Sequence, residues 1–357
     1  MKVLIDATSL GDDSAYRGIG TYVRHLIAGL GAVDGLQLIA MGAPAAAVPG
    51  SVDTTPWRRF APGRWRRLEH ELRLPLALLG ADHDVFHSPG LDPPAVCRTP
   101  WVQTLHDVIP LVFDDPELAV ERRRWRRQAP RYRRARAIAA ISRHTAQVGI
   151  DRLGLDPRRV EVIHHGVGPE FAPPARRVRD DPPSILMVGE YSRRKGYPEA
   201  FAAIGALADL GYPHHLRVTG RIAPWVRPVL DGLLARAPAP GRVALLGFVD
   251  DLVGAYQRAD VLIMTSRYEG FGFPLVEAMA SGTPVVAFAN SAISEVVADA
   301  GMLVPDGDVP ALVSAIRGVL DDPGRREDLS ARGLERARAF SWDRCAAAHA
   351  DLYRGCF

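Results

Sequence analysis

The sequence is poor in the features that mark secreted and membrane-spanning proteins. It has 357 residues and only three cysteines, Cys97, Cys345 and Cys356. An odd, widely spaced set fits neither a disulfide framework nor a zinc site, and favours the reducing cytoplasm. Apolar runs of about 18 residues are lacking, so no membrane-spanning helix is expected. The sequence opens directly on a strand-like run, MKVLIDAT, so no signal peptide is expected.

A strong charge imbalance is also lacking. The formal net charge at pH 7 is +3, and 47% of residues are hydrophobic and 24% charged. This is the composition of an ordinary globular protein, and the length allows two α/β domains. Short apolar runs alternate with helix-length segments, as a parallel sheet requires. One stretch rich in proline and charge, GPEFAPPARRVRDDPP, is typical of a linker.

The most informative run spans residues 260–288, DVLIMTSRYEGFGFPLVEAMASGTPVVAF. Two apolar runs of strand length, VLIMTS and PVVAF, flank a segment of helix length. Pro274 suits the first position of that helix, and Gly282 suits the left-handed residue that ends a helix. The run therefore predicts a strand, a loop, a short helix and a second strand.

The loop before this helix predicts an anion-binding site. Gly270 and Gly272 let backbone amides approach a bound anion, and the helix dipole favours negative charge there. Two carboxylates, Glu269 and Glu277, frame the feature. They suit a ligand with a diphosphate in the middle and hydroxyl groups at both ends, which is a nucleotide sugar. The alternative is a glycine-rich turn beside two ordinary surface acids.

This run, EGFGFPLVEAMASGTPVV, resembles the E-x7-E segment of the retaining glycosyltransferases of family 4, the group 1 glycosyltransferases, which have the GT-B fold. The resemblance implies that Glu269 contacts the donor sugar and counts among the catalytic residues, and that Glu277 hydrogen-bonds the ribose. It also implies that the backbone of Phe271 and Gly272 binds the donor phosphates, with Phe273 beside them on the donor side.

The resemblance spans nearly the whole chain. It implies an α/β GT-B fold, with two Rossmann-like, doubly wound parallel-sheet domains and a cleft between them. The expected divisions are an acceptor-binding domain at 1–168, a linker at 169–183 and a nucleotide-sugar-binding domain at 184–340. A C-terminal helix at 341–357 is expected to cross back onto the N-terminal domain.

A second loop, EYSRRKG, begins at Glu190 and precedes a predicted helix. Its cations suit phosphate, which arginine binds through a planar fork and lysine as a point charge. The loop resembles the family's phosphate loop, which makes Lys195 the diphosphate lysine and places Arg194 on the donor beside it. Many members have an arginine where this chain has Glu190, and Arg193 or Arg194 is expected to substitute for it. The alternative for Lys195 is an ordinary exposed loop cation.

Two further segments carry donor-side residues by resemblance. Phe248 and Val249 begin a run that resembles the family's nucleobase-contact loop. The Gly-Ile-Gly run at Gly18 and Gly20 resembles a Gly-Ile-Gly-Arg-Tyr run that faces the cleft from the N-terminal domain, although this chain has Thr21 at the arginine position. As a dinucleotide fingerprint the run fails, because the third glycine is missing at the required spacing.

His106 and Asp107 close an apolar strand, so we expect them at the ligand-binding edge of a sheet. A lone histidine is more often structural than catalytic. The run VQTLHDVIPL, however, resembles one recurring in the branch that contains many mannosyl- and rhamnosyltransferases. It implies a catalytic His106 beside the reacting sugar carbon, for donor-sugar or acceptor positioning, and an acceptor-side Asp107 that orients groups in the site.

Two segments concentrate positive charge. Residues 57–80 interleave arginines with Trp57, Phe60 and Trp65, and residues 121–137 carry nine arginines against one acid, in a helix interrupted or kinked at a proline. Nucleic acid is not the expected partner, because no recognised nucleic-acid module accompanies them. A phosphate-bearing acceptor, or an anionic membrane carrying a lipid-linked acceptor, fits better. The alternative is a pair of solvated helix faces.

The predicted function is retaining transfer of a hexosyl group from a nucleoside diphosphate sugar, with GDP-mannose as first choice, to a hydroxyl of a glycan, a lipid-linked or a small-molecule acceptor. No metal or other cofactor is expected, because cations replace it. Two D-x-D sequences, 82–84 and 306–308, are treated as incidental. The alternatives are a basic nucleic-acid or membrane-surface binding protein with an inactive donor site, and a GT-B epimerase or phosphorylase. The expected location is the cytoplasm, with peripheral contact to the inner face of the membrane left open.

Overall fold

The computed structural model describes residues 1–11, 18–57 and 69–357. The predictions at Phe60, at Trp65 and at the arginines near them fall on residues 58–68, which lie outside the described residues.

The described chain forms two compact units, Met1–Gly166 together with Ser341–Phe357, and Val167–Phe340. The segment 169–183, predicted as a linker, is part of the second unit. Its arginines bind that unit: the Arg177 guanidinium donates to the Ala259 carbonyl at 2.6 Å, and Arg179 pairs with the buried Asp260 at 3.0 Å.

A seven-stranded parallel sheet forms the first unit, in the strand order β3-β2-β1-β4-β5-β6-β7. The order reverses at β1, so the carboxyl ends of β1 and β4 flank the crevice where sheets of this type bind ligands. The strands are β1 (Lys2–Asp6), β2 (Gln37–Met41), β3 (Asp53–Thr55), β4 (Val85–Ser88), β5 (Trp101–Leu105), β6 (Ala137–Ala140) and β7 (Val160–Val162).

A six-stranded parallel sheet forms the second unit, in the order β10-β9-β8-β11-β12-β13. Here the order reverses at β8, and the crevice lies at the carboxyl ends of β8 and β11. The strands are β8 (Ser184–Val188), β9 (His215–Thr219), β10 (Val243–Gly247), β11 (Val261–Met264), β12 (Val285–Phe288) and β13 (Met302–Val304). The central strands are buried on both faces, which explains their continuous apolar sequences.

Helices connect the strands and cover the sheets. In the described residues they are α1 (Gly18–Leu30), α2 (Leu74–Gly80), α3 (Ile109–Val112), α4 (Ala119–Tyr132), α5 (Arg143–Leu153), α6 (Tyr197–Asp209), α7 (Arg227–Ala235), α8 (Leu252–Arg258), α9 (Phe273–Ala280), α10 (Ser291–Val297), α11 (Val309–Leu320), α12 (Pro323–Ala337) and α13 (Trp342–Arg354). A π-helical segment, Glu69–Arg73, leads into α2.

Local sequence explains several helix ends. Ser142 caps α5, since its hydroxyl accepts from the Thr145 amide at 3.0 Å, and Gly154 ends that helix in the left-handed region. The arginine-rich helix predicted at 121–137 ends at Tyr132, two residues after the proline at 130. A proline removes one backbone donor from a helix, and Ala137 already begins β6.

The C-terminal helix belongs to the first unit and packs against α1. Gly29 permits this approach, because a Cβ atom there would lie 2.7 Å from the Ala346 Cβ. The buried face of α13 repeats at helical spacing and comprises Trp342, Cys345, Ala346, His349, Ala350 and Tyr353. Burial of this stripe fixes the end of the chain against the beginning of the first unit.

Candidate functional site

In the second unit, the loops after β8 and β11 leave neighbouring strands and meet at one ion-pair cluster. The Lys195 ammonium donates to the Glu269 Oε1 atom at 2.6 Å. The Arg194 guanidinium lies 3.0 Å from the same oxygen and donates to the Tyr268 carbonyl at 2.7 Å. The structure thus brings together three residues that the sequence analysis predicted from separate motifs.

A glycine makes this meeting sterically feasible. Gly196 has φ +67°, and a Cβ atom there would lie 2.0 Å from the Thr265 carbonyl oxygen. Two hydrogen bonds join the loops at this point. The Thr265 hydroxyl donates to the Lys195 carbonyl at 2.9 Å, and the Arg267 amide donates to the Arg194 carbonyl at 2.7 Å. The cation loop is therefore held rigidly against the loop that carries Glu269.

The cluster is buried and charged. Glu269 is 7% exposed. Burial of its carboxyl group raises the pKa, but the charges of Lys195 and Arg194 outweigh burial and lower the pKa to about 2. Burial, opposed mainly by the Glu269 charge, lowers the pKa of Lys195. Lys195 and Arg194 thus present two cations to one carboxylate oxygen, and the charge of Glu190 also acts on Lys195.

The Glu269 backbone is fixed by a residue that the sequence analysis did not identify. The Glu269 amide donates to the Ser291 hydroxyl at 2.8 Å, and Ser291 has φ +40°. Its neighbour Asn290 donates from its side-chain amide to the Ser266 carbonyl at 2.9 Å. An Asn-Ser pair after a strand signals a helix start, which is what it forms at α10, but nothing in the sequence indicates a partner 22 positions away.

The predicted phosphate loop leads into α9. Gly272 has φ +94° and precedes the first helical residue, Phe273. Phe271 is buried, and its ring contacts those of Phe273 and Phe340, each with centroids 5.5 Å away. The buried aromatic contacts position the loop. The last residue of the loop lies at the N-terminus of α9, which is the positive end of the helix dipole.

Glu277 lies on α9 and has a different partner from Glu269. The Tyr256 hydroxyl on α8 donates to the Glu277 Oε2 atom at 2.6 Å. Burial raises the pKa of Glu277 to about 7, although the Tyr256 hydrogen bond favours the ionised form. The pKa values of the two predicted carboxyl groups are therefore shifted in opposite directions, down for Glu269 and up for Glu277. Tyr256 was missed by the sequence analysis, because no motif marks a hydroxyl that precedes its acceptor by 21 positions.

The predicted nucleobase residues follow the carboxyl end of β10. The Phe248 side chain is 68% exposed, and Val249 follows it with partial exposure. Phe248 lines an open pocket of about 420 Å³ together with Arg221 and Arg227. An exposed aromatic ring beside arginines can stack on a planar group.

The predicted residues of the first unit lie at the carboxyl ends of its strands or at a helix start. His106 follows β5 and is 6% exposed, and its Nε2–H group donates to the Pro89 carbonyl at 2.6 Å. Burial lowers the pKa of His106 to about 4, so the imidazole is neutral at pH 7. The Asp107 carboxylate accepts from the amide of Ile109, the first residue of α3, at 3.0 Å. Gly18 is exposed in the first turn of α1, where Gly20 is buried.

His106 belongs to a buried cluster of rings that the sequence analysis did not identify. The Tyr22 ring contacts those of His106 and His165, with centroids 5.2 and 4.6 Å away. Two more buried histidines, His87 and His349, lie 5.5 Å apart between ring centroids. Adjacency in the fold brings these residues together, and no spacing in the sequence indicates it.

Among the described residues, no group of three or more histidine, cysteine, aspartate or glutamate side chains is arranged to hold a metal ion. In the same part of the chain, no helix combines the length and apolar character needed to cross a membrane.

Comparison with known proteins matches both units to glycosyltransferase families. Residues 16–171 match Glycosyltransferase Family 4, and residues 170–336 match Glycosyl transferases group 1. Over 174 residues the chain is 35% identical to O-antigen chain mannosyltransferase B from Escherichia coli, a match that covers 47% of this chain and 45% of that protein. In this and two further matches the chain spans about half the length of the curated relative.

Solved structures share the fold. Sucrose-phosphate synthase from Thermosynechococcus elongatus matches with a TM-score of 0.82 and 24% identity, over 99% of this chain and 98% of that chain. Anabaena HepE in complex with UDP and glucose matches with a TM-score of 0.76 and 17% identity, over 99% of this chain and 100% of that chain. The two parallel sheets and the two family matches lead to one conclusion: the chain belongs to the group 1 glycosyltransferases and has their GT-B fold.

Proposed function

We propose that this chain transfers a hexosyl group from a nucleoside diphosphate sugar to an acceptor hydroxyl, with retention of configuration at the transferred carbon. The observation that carries the proposal is the convergence of Lys195 and Arg194 on one oxygen of Glu269, at the carboxyl ends of β8 and β11. That position is where parallel sheets with reversed strand order bind nucleotides.

The cations of this cluster suit the departing diphosphate. Lys195 and Arg194 are held in place by ion pairs and hydrogen bonds before any ligand arrives. Fixed positive charges aimed at developing negative charge stabilise a transition state without reorganisation. The N-terminus of α9, entered through Gly272, adds a dipole of the same sign. A metal ion is not part of the proposal, because these groups supply the positive charge.

Glu269 is proposed to bind the donor sugar as an ionised carboxylate. Its pKa of about 2 makes it a poor proton donor at neutral pH. Retention through two carboxylates would need one of them as a nucleophile. Glu269 is committed to Lys195 and Arg194, so we propose instead that the leaving phosphate takes the acceptor's proton. His106, a neutral imidazole, is proposed to position the sugar or the acceptor, with Asp107 on the acceptor side.

The remaining donor contacts follow the same proposal. Glu277 is assigned to the ribose, the backbone of Phe271 and Gly272 to the phosphates, and Phe248 and Val249 to the base. The further donor-side residues are Phe273, Gly18 and Gly20. GDP-mannose is proposed as first donor, supported by the mannosyltransferase name of one relative, while a UDP sugar is the competing donor, supported by the UDP bound to a protein of the same fold.

The acceptor is proposed to be a glycan, a lipid-linked glycan or a small molecule bearing a hydroxyl group. We propose the cytoplasm as the location. All three cysteines are free thiols, which supports a reducing compartment.

The first experiment is a thermal-shift panel with GDP, UDP, ADP, dTDP and their sugars. Wild type is compared with Lys195→Ala, Glu277→Ala and the matched control Lys2→Ala. The control removes an exposed lysine of the first unit, which is paired with Asp82 of the same unit. A ligand at about 100 times its dissociation constant stabilises by about 2.7 kcal/mol. One nucleotide should shift wild type and Lys2→Ala, and shift the two site variants much less.

Donor turnover then distinguishes the enzymatic alternatives. Product that appears only with an acceptor supports transfer. Consumption of donor without an acceptor indicates an epimerase that hydrolyses its donor, and consumption that depends on inorganic phosphate indicates a phosphorylase. If no nucleotide shifts well-folded protein, and salt-sensitive binding to DNA appears instead, the chain is a basic binding protein and the proposal is wrong.

A further inference from the structure

We propose that one face of the first unit, formed by exposed leucines around α2 and exposed arginines of α4, docks on a bilayer surface rich in anionic lipid. This face contains none of the residues assigned to the donor or the acceptor, and the inference does not rest on the proposed function.

The first component is a stripe of three leucines at helical spacing. Leu72, Leu76 and Leu79 are 59%, 67% and 49% exposed. Leu74 and Leu78, on the opposite side, are 2% and 4% exposed and pack in the core. The segment is therefore apolar on both its inner and its outer face. An ordinary surface helix presents polar residues to water, and a contiguous apolar stripe marks an interaction site.

The second component is a row of three arginines on α4. Arg123, Arg126 and Arg127 are exposed, at helical spacing, while Trp125 and Ala129 on the opposite face are buried. Across the ranges 1–11, 18–57 and 69–357, no carboxylate forms an ion pair with any of these three arginines. Their charge is thus available to an external anion.

In contrast to the exposed arginines, the polar side chains on the inner side of α4 are paired with a carboxylate. Arg124 and Gln128 both donate to the Asp92 carboxylate, and the Arg124 side chain is only 35% exposed. These contacts fix the rotation of α4 about its axis. The row of exposed arginines therefore has a defined direction and is not a set of interchangeable surface charges.

The two components are neighbours. The Arg131 guanidinium on α4 lies 3.4 Å from the Glu71 carboxylate, one residue before the leucine stripe. Below the surface, Leu74 and Leu78 pack in one core cluster with Trp125 and Ala129. The apolar stripe and the arginine row thus flank a single pair of packed segments.

This pairing of properties favours a bilayer over a nucleic acid. Lipid phosphates attract arginine, and the acyl boundary accepts leucine side chains. A nucleic-acid backbone would satisfy the arginines but would leave three exposed leucines in water. A protein partner would explain the leucines, yet it requires a matching acidic rim, whereas an anionic bilayer supplies both requirements over any area.

The test is co-sedimentation of the full chain with vesicles, without nucleotide. One set is phosphatidylcholine alone, and the other is an equal mixture of phosphatidylcholine and phosphatidylglycerol. Two double variants address the components separately: Leu72→Ser with Leu76→Ser, and Arg126→Glu with Arg127→Glu. All four residues are exposed, so folding should persist, which thermal unfolding checks.

Matched controls carry the same chemical changes elsewhere. Leu210→Ser with Val229→Ser removes two exposed apolar side chains from the second unit. Arg176→Glu with Arg236→Glu reverses two exposed charges of the second unit that, among the described residues, form no ion pair with a carboxylate. Both controls should bind vesicles as wild type does, which separates the effect of position from that of composition.

We expect wild type to bind the anionic vesicles at least about tenfold more tightly than the neutral ones, with binding weakened by salt. Each double variant on the face should lose about tenfold or more in vesicle affinity. Equal binding to both vesicle types, no binding at all, or face variants that bind as wild type does would overturn the proposal. Binding to DNA in place of vesicles would indicate a nucleic-acid surface. Self-association that the leucine variant abolishes would indicate a protein contact.

Discussion

The hydroxyl of Tyr22, in the first helix, lies 2.9 Å from the Nε2 atom of His349, in the last helix. The direction of this hydrogen bond is determined by its neighbour. His349 Nδ1 lies 2.8 Å from the Cys345 carbonyl, which can only accept, so the proton is on Nδ1 and Nε2 must accept from Tyr22. The Tyr22 oxygen, 2.9 Å from the Thr104 hydroxyl, then accepts from it.

The same direction continues through the sheet. Because Thr104 donates to Tyr22, its oxygen accepts from His87 Nε2–H at 2.8 Å. His87 Nδ1 then accepts from the Tyr353 hydroxyl at 2.7 Å. Five hydrogen bonds therefore run in one direction through α1, two strands and α13. This series of hydrogen bonds requires neutral histidines, and burial lowers the pKa of both His87 and His349.

Tyr22→Phe tests the contribution of this chain to stability. The substitution removes one hydroxyl and leaves the Thr104 donor and the His349 acceptor without their partner, in a region where Tyr22 is fully buried. We expect the free energy of unfolding to fall by about 1–3 kcal/mol. Tyr212→Phe is the matched control, because its hydroxyl donates to the exposed Asp321 and should cost less than about 1 kcal/mol. Urea unfolding at pH 8, followed by tryptophan fluorescence, makes the measurement, and equal losses would contradict the argument.

Acid should destabilise the first unit before ordinary carboxylate titration begins. His106 and His349 have pKa values of about 4 in the fold, against 6.5 for a free histidine. Below pH 6.5 the unfolded chain binds protons that the folded chain does not. Stability is therefore fully present above pH 6.5 and is lost as the pH falls toward 4. Each of the two groups accounts for about 3 kcal/mol over that window, and unfolding at pH 8, 6.5 and 5.5 measures the loss.

One carboxylate opposes this trend. The folded pKa of Glu277 is raised from 4.5 to about 7, so its contribution is fully present below pH 4.5 and is lost as the pH rises through 7. The contribution of Glu277 to the free energy of unfolding is about as large as that of one histidine. Because Glu277 belongs to the second unit, the histidines determine the pH dependence of stability in the first unit. His349→Gln should be less stable than wild type at pH 8, and the gap should narrow toward pH 5.5. A gap that stays constant with pH would show that His349 titrates normally.

The sequence predicted where strands end but not which side chains meet there. The run at 260–288 predicts two strands and a helix, and the structure has β11, α9 and β12 in that order. Strand and helix periodicity are local properties, so they can be predicted from the sequence of a single segment. The contact of Lys195 with Glu269 joins positions 74 apart, and that of Tyr22 with His349 joins positions 327 apart. Such contacts depend on strand order, which periodicity does not encode.

Resemblance to a family predicted some of the long-range relationships that periodicity could not predict. It placed Lys195 and Glu269 on one ligand, and the structure has them in contact. It gave no indication of Tyr256, whose hydroxyl belongs to an otherwise apolar stretch of α8, or of the burial that makes His106 neutral. Partners and protonation states follow from packing, and packing appears only in three dimensions.

Gly196→Ala should disrupt the loop that carries Arg194 and Lys195. The new Cβ atom would lie 2.0 Å from the Thr265 carbonyl oxygen, and φ at this position is +67°. Left-handed backbone alone costs about 1 kcal/mol, and relieving the collision should bring the loss of stability to about 3 kcal/mol or more. Displacement of Lys195 should also abolish the nucleotide-induced thermal shift. Calorimetric unfolding with and without nucleotide makes both measurements.

Gly211→Ala separates the two causes. Gly211 has φ +85°, but nothing lies within 4 Å of the added Cβ atom. This control should lose only the backbone contribution of about 1 kcal/mol and keep its nucleotide response. If the two variants lose the same stability, the close approach of Gly196 to Thr265 has no energetic consequence.

Affinity for a nucleotide sugar should rise with pH around neutrality. Glu277 has a pKa of about 7, and an ionised carboxylate accepts ribose hydrogen bonds more strongly than a neutral acid does. Between pH 6 and pH 8 the ionised fraction of a carboxyl group with this pKa rises roughly tenfold, so affinity should rise by about five- to tenfold. Isothermal titration calorimetry with an intact nucleotide sugar suits this test, because its diphosphate has no terminal group that titrates near neutrality.

Variants of the Tyr256–Glu277 pair assign the titration. The Tyr256 hydroxyl donates to Glu277 and lowers its pKa, so Tyr256→Phe should move the midpoint of the affinity profile to higher pH. Glu277→Gln should bind weakly, with a flat profile. Glu269 remains ionised throughout this range, since its pKa is about 2. Any loss of charge from Lys195 would lower affinity as the pH rises, which is the opposite sign. A rise in affinity that Tyr256→Phe moves to higher pH therefore belongs to Glu277 alone, and a shift to lower pH would contradict the assignment.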